Sequence, residues 1–261
     1  MITRIIYPLL LREKISYKLF KFYPEINDKN ISIEFSKKIK LDLLKTDVGH
    51  KCLIFTGFYE LGLSRKIVEH GNIGGLLVDV GANYGYFSCL WASKKSNNKV
   101  LAFEASPLNV GPLKNNVNKN ELNEQINVIP FALGKEKGNL NFNLGNNIEQ
   151  TGWGGIVLNK DDSSDVQVKV DTLDNYCAKN NVKKIDVLKI DTEGADTWVL
   201  YGAENLLKEK RISHIYFEHN LPKMTNLNIK QNEAEDFLKN LGYIVEKRSE
   251  ADFYAYPENN N

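Results

Sequence analysis

The tightest constraint on this chain is the run Val78-Asp79-Val80-Gly81-Ala82-Asn83-Tyr84-Gly85-Tyr86-Phe87, where an apolar stretch ends at a turn that only small or φ-tolerant residues can make. Leu76, Leu77, Val78 and Val80 read as a buried parallel strand, and residues 84–95 as the helix that follows it. The turn therefore joins a strand end to a helix N-terminus. Gly81 and Gly85 would let the backbone approach a ligand, and Asn83 tolerates a left-handed conformation. The spacing departs from the G-x-G-x-x-G of dinucleotide-binding turns. Close packing alone is the lesser reading of a turn this rich in small residues, so the motif does not decide the matter by itself.

A second strand over residues 99–103 delivers Glu104 to the neighbouring strand end, 23 positions after Gly81. A carboxylate at about this offset can accept hydrogen bonds from both hydroxyls of a ribose. Ser106-Pro107 then opens a helix by the N-cap and first-turn rules, which would hold Glu104 at a strand tip. Together the D-x-G-x-N-x-G turn and the strand-tip acid point to S-adenosylmethionine.

At 261 residues the chain can hold one large α/β domain and a short appendage. With 34 basic and 33 acidic residues it has no overall field for gripping nucleic acid, so no nucleic-acid partner is expected. Cys52, Cys89 and Cys177 are odd in number and far apart, which fits core thiols in a reducing, cytoplasmic setting and no structural zinc. Near the N-terminus, Ile5, Ile6, Leu9, Leu10 and Leu11 form an apolar stretch broken by Pro8 and followed by charges, too short to span a bilayer. Leu11, Ile15, Leu19 and Phe22 share one helical face, with Arg12, Lys14, Lys18 and Lys21 elsewhere. Such a helix within residues 1–23 either docks on its own domain or on a second subunit, making a homodimer, or lies on the inner membrane surface; docking is the favoured reading.

Residues 1–57 are expected to form an N-terminal extension, with residues 31–35 and 51–55 as an antiparallel pair, and residues 58–258 the main domain. Residues 60–70 read as a helix. Downstream, strand alternates with helix: helix 107–120, strand 126–129, strand 166–170 with an Asp171-Thr172 cap, strand 185–190 ending at Asp191, and strand 212–217 ending at Glu218. Residues 243–246 and 252–256 are strands joined without a helix, hence antiparallel. The expected fold is α/β and Rossmann-like: a mostly parallel seven-stranded sheet finished by an antiparallel hairpin, as in class I methyltransferases.

These residues resemble the FkbM-type S-adenosylmethionine-dependent methyltransferases. The similarity lies in VDVGANYGYFS at 78–88, AFEASP at 102–107, VIPFALG at 128–134, VDTLDNY at 170–176, LKIDTEGAD at 188–196 and IYFEHN at 215–220. The resemblance implies methyl transfer to a hydroxyl oxygen of a small-molecule or glycan acceptor, most often a saccharide or glycoconjugate. It further implies cofactor contacts from Asp79, Gly81, Asn83, Tyr84, Gly85, Glu104, Ala105, Phe131, Ala132 and Asp191. Two rivals remain: an NAD-dependent oxidoreductase, disfavoured by the glycine spacing and the terminal hairpin, and a degenerate methyltransferase-fold binding module in a glycan assembly complex.

A sugar hydroxyl is a weak nucleophile at neutral pH, so the site must align it and remove its proton. Asp191, Glu193, Glu218 and His219 are the candidate catalytic groups. The favoured mechanism is a metal-free base, with magnesium on Asp191, Glu218 and Asn220 as the alternative. Residues 145–162 read as a loop over the site, whose Trp153, set among three glycines, would stack on a sugar ring or anchor the loop.

Overall fold

The computed structural model describes residues 4, 6–19, 28–145, 152, 154–158 and 166–258. The order of elements begins with α1 (Leu9–Leu19), the hairpin β1 (Ile31–Ile33) and β2 (Ser36–Leu41), then α2 (Val48–Thr56) and α3 (Leu61–Ile73). The core alternation follows as β3 (Leu76–Val80), α4 (Tyr86–Ala92), β4 (Lys99–Phe103), α5 (Pro107–Lys119) and β5 (Ile126–Ile129). Next come β6 (Ala132–Leu133), β7 (Gly138–Asn143), β8 (Gly155–Val157), β9 (Val166–Asp171) and α6 (Leu173–Lys179). The chain closes with β10 (Ile185–Ile190), α7 (Asp196–Tyr201), α8 (Glu204–Lys208), β11 (Ile212–Glu218), α9 (Leu221–Asn226), α10 (Glu233–Asn240), β12 (Tyr243–Lys247) and β13 (Asp252–Pro257).

Seven strands form the main sheet in the order β12-β13-β11-β10-β3-β4-β5. β3, β4, β5, β10 and β11 run parallel, and β13 is antiparallel to both its neighbours. This is the expected sheet, with the hairpin at one edge. Both faces are covered, which is why the central strands are mostly apolar. One face packs Leu77, Val100 and Val187 against Leu90, Trp91 and Leu113 of α4 and α5. The other packs Val78, Leu188 and Ile215 against Leu200, Leu207 and Leu238 of α7, α8 and α10.

The N-terminal segment differs from expectation. Residues 51–55 are helix, not strand: Asp47 Oδ1 accepts the His50 N–H at 2.9 Å as an N-cap, and Gly57 closes the helix at φ 85°. α2 is buried nearly all round, so its apolar residues imitate a strand. The pair forms instead between β1 and β2. Ile33, Leu41, Ile54 and Phe58 join the same core cluster as Leu77 and Trp91. α1 also turns a different face inward: Leu10 and Leu11 are exposed, whereas Arg12 is fully buried, paired with Glu34 at 2.6 Å and donating to Thr56 O. Among the described residues no helix is long and apolar enough to cross a membrane.

The strand-and-helix rhythm also concealed a second sheet, order β6-β9-β7-β8, in which only β6 and β9 are parallel. Phe142, Val168 and Val170 form its small core. β8 lies within the segment expected to be a loop; Trp153 falls outside the described residues.

Candidate functional site

The carboxyl ends of β3, β4, β10 and β11 open into one cavity of about 900 Å³. Parallel strands fed by helices place their C-terminal loops on one edge, so side chains distant in sequence converge there. At this edge stand Gly81 and Asn83 after β3, Glu104 after β4, Asp191 and Glu193 after β10, and Glu218 at the end of β11.

The turn after β3 is held from inside. The N–H groups of Gly81 and Ala82 donate to Phe103 O, that of Gly85 donates to Ala82 O, and that of Asn83 donates to Glu104 Oε2 at 2.7 Å. These four donors are spent within the protein and do not cradle a phosphate. The glycines answer to packing as well as to φ. A Cβ on Gly81, at φ 74°, would lie 1.8 Å from Asp191 O, and one on Gly85, at φ 87°, 2.5 Å from Leu113 Cδ1. The expectation that both admit a ligand is corrected for Gly85, which admits α5 and is off the cavity wall; Gly81 admits the neighbouring strand's loop and also stands on the wall. Because Gly85 is left-handed, α4 starts at Tyr86 and leaves Tyr84 on the cavity wall.

Asp79 is also corrected. It is fully buried and off the cavity wall, 3.3 Å from Lys189 Nζ and accepting from Ser88 Oγ at 2.6 Å. Lys189 Nζ further lies 3.5 Å from Asp191 Oδ2 and donates to Gly81 O at 3.1 Å. Burial works against the ammonium, but Asp79, Asp191 and Glu60 outweigh it and raise its pKa. Lys189 thus ties β3 to β10 beneath the turn.

Glu104 is buried and takes the Asn83 N–H on one oxygen and the Ser106 N–H, at 2.8 Å, on the other. Ser106 contributes this backbone donor and makes no side-chain cap to α5. Burial pushes the Glu104 carboxyl up to about 7 against the pull of those two bonds. Beside it Ala105, Phe131, Ala132 and Leu133 form an apolar slot, Phe131 meeting Phe103 edge to face at 5.6 Å.

On the opposite wall carboxylates crowd one another. Burial, then Asp191, Asp196 and Glu60, push Glu218 up to about 10. Glu193 Oε2 accepts from Asn220 Nδ2 at 2.7 Å and from Lys223 Nζ at 3.0 Å; burial raises its pKa while Lys223 opposes. Asp196, buried beneath, accepts from the Thr192 and Glu218 N–H groups and locks the two strand tips together. His219 is on the wall, but its Nε2 lies 3.1 Å from Glu235 Oε2 and its ring packs on Phe253, so it is tied into the fold. Of the alternative metal set, Asp191, Glu218 and Asn220 all stand on the cavity wall, and Asn220 Oδ1 accepts the Lys223 N–H at the start of α9. Among the described residues no group of three or more His, Cys, Asp or Glu could hold a metal ion.

Several wall residues had no sequence signal. His50 and Tyr59 come from the N-terminal segment, Phe142 and Ile156 from the second sheet, and Lys223 from α9. Glu60 stands beside the wall in a left-handed conformation, φ 43°, with burial and Asp191 pushing its carboxyl up to about 8. A lone histidine and an acid before a helix are commonplace in sequences, and only the fold brings them here.

A model of the methyltransferase FkbM domain matches residues 79–245, more than half of the chain. By sequence, no curated protein matches. Among solved structures, the Precorrin-6y C5,15-methyltransferase of Geobacter metallireducens is similar at 13% identity, with 75% of this chain and 87% of that chain covered and a TM-score of 0.43. The O-methyltransferase of Bacillus cereus, solved in complex with SAH, is similar at 12% identity, covering 77% and 83%, with a TM-score of 0.44. At so low an identity the likeness says nothing of substrate. The family match spans the turn, the strand-tip acid and the carboxylate wall, and the chain belongs to the FkbM methyltransferase family.

Proposed function

We propose that this FkbM-family methyltransferase takes its methyl group from S-adenosylmethionine and delivers it to a hydroxyl oxygen of a saccharide or glycoconjugate. The observation that carries the reading is one cavity with buried Glu104 and an apolar slot at one end and a carboxylate wall at the other. These residues fit the cofactor. Each Glu104 oxygen keeps a lone pair for a ribose hydroxyl beyond its backbone bond. Phe131, Ala105 and Leu133 suit a flat base, and Asp191 suits the cationic methionine end. When bound, that cofactor supplies an electrophilic methyl on a sulfonium that departs as a neutral thioether, so no general acid is needed.

The protein's task is then to place the hydroxyl and remove its proton. Glu193 is the base in this reading. Its carboxyl is raised toward neutrality, and Asn220 and Lys223 hold it in one orientation. Asp191 is drawn toward Lys189, and Glu218 is protonated at pH 7. Ring faces of Tyr84 and His50, with centroids 4.3 Å apart, beside the Asn83 amide offer a mixed apolar and polar wall that suits a sugar. The test is incubation of the protein with methyl-deuterated S-adenosylmethionine and defined oligosaccharides, read by mass spectrometry. Label in an O-methyl sugar supports the reading; label found only on nitrogen or carbon acceptors would contradict it.

A further inference from the structure

The segment ahead of the family-matched residues touches the cofactor turn through His50. His50, on α2, is 5% exposed, and its helix is fixed by the Asp47 cap. Its Nδ1 accepts the Leu44 N–H at 3.1 Å. Burial lowers the pKa of the imidazole, so the ring is neutral at pH 7 and carries a single proton. With Nδ1 occupied as an acceptor, that proton is on Nε2, which lies 3.3 Å from Asn83 Oδ1 and donates to it. Packing against Tyr84 keeps the ring from turning.

Asn83 is the residue with most to gain from such a partner. Its φ of 49° is uncommon for anything but glycine, and its backbone N–H is already committed to Glu104. A hydrogen bond from His50 to the amide oxygen fixes which end of the amide faces inward. The Nδ2 end is turned toward Gly152, where an added Cβ would come within 3.1 Å of it. The amide therefore presents N–H donors, not its oxygen, to the space between the turn and β8.

We infer that His50 is a positioning residue, which holds the Asn83 amide with its donors toward the cavity so that they meet an acceptor oxygen of the bound cofactor. The N-terminal segment is then part of the methyl-transfer site. The inference rests on the S-adenosylmethionine reading, and the test separates the two.

The experiment is calorimetric binding of S-adenosylmethionine to the full chain carrying His50→Ala, His50→Gln, Asn83→Gly or His50→Ala with Asn83→Gly. Glycine keeps the positive φ while removing the amide. Loss of one oriented hydrogen bond predicts about fivefold weaker binding for His50→Ala and for Asn83→Gly. The double variant should bind no more weakly than Asn83→Gly alone, because the two residues act as a unit. His50→Gln, which retains an acceptor and a donor, should bind within about twofold of the unaltered protein. Additive losses, or equal losses for His50→Gln and His50→Ala, would overturn the inference.

If the unaltered protein fails to bind, the cofactor reading falls, and ring-nitrogen and amide shifts of the ligand-free protein decide the inference instead. They should report His50 protonated at Nε2, and His50→Gln should move the Asn83 side-chain amide. A proton on Nδ1, or an unmoved Asn83 amide, refutes it. The same spectra decide the question if His50→Ala does not fold.

Discussion

Replacing Gly81 by alanine tests how far the turn after β3 depends on close packing within the protein. At φ 74° an L side chain incurs about 1–2 kcal/mol of backbone strain. The new Cβ would stand 1.8 Å from Asp191 O, a backbone atom that cannot rotate away. The tips of β3 and β10 must part, and forced overpacking of this kind costs about 1–3 kcal/mol. Gly81→Ala should therefore destabilise the ligand-free protein by about 3 kcal/mol. Gly62→Ala, in the first turn of α3 with nothing within 4 Å of its Cβ, should instead stabilise it by about 0.5 kcal/mol. Urea unfolding of both variants, with ligand absent, gives the comparison. A loss below about 1 kcal/mol for Gly81→Ala would refute the packing argument, since strain alone accounts for that much.

Lys189→Met should destabilise the fold by about 3–5 kcal/mol, because it leaves Asp79 buried without its cation; denaturant midpoints check this. The raised carboxyls give a pH dependence opposite to ordinary acid denaturation. Glu104, Glu60 and Glu218, pushed up to about 7, 8 and 10, bind protons in the folded state that the unfolded chain has released, so stability is full below about pH 4.5 and lost as pH rises through the folded values. The melting temperature of the ligand-free protein should fall between about pH 7.5 and 9, above the ordinary imidazole range of the unfolded chain, and Glu218→Gln should flatten that slope. Glu193→Gln should lower turnover by about 10² to 10⁴ while cofactor affinity is nearly unchanged, and exhaustive chelation should leave turnover intact; steady-state kinetics reads both.

The central strands were legible because burial on both faces writes them as mostly apolar runs: 76–80, 99–103 and 185–190 coincide with β3, β4 and β10. The hairpin at β12 and β13 was legible because no helix intervenes. The second sheet was not, since β7 reads Gly-Asn-Leu-Asn-Phe-Asn, a pattern that imitates a polar loop when it covers only a small core. α2 was misread because a helix buried all round loses its periodicity, although the Asp47 and Gly57 caps were in plain view. The site followed the same division. Glu104 stands on the cavity wall at the tip of β4, where its place after an apolar run puts it, but the destination of Asp79 depends on Lys189, which points inward from the adjacent strand. His50 and Glu60 belong to a segment whose approach to the turn no local pattern records.

The central claim is that the Gly81 turn and Glu104 build an S-adenosylmethionine site. Calorimetry with S-adenosylmethionine, S-adenosylhomocysteine and NAD, on the unaltered protein and on Glu104→Ala, tests it most directly, with a thermal melt to confirm that the variant folds. The account predicts binding of the first two ligands and none of NAD, and a loss of about 1.5–3 kcal/mol in Glu104→Ala as the ribose bonds vanish. Unchanged affinity in a folded Glu104→Ala protein, or tight binding of NAD, would contradict it.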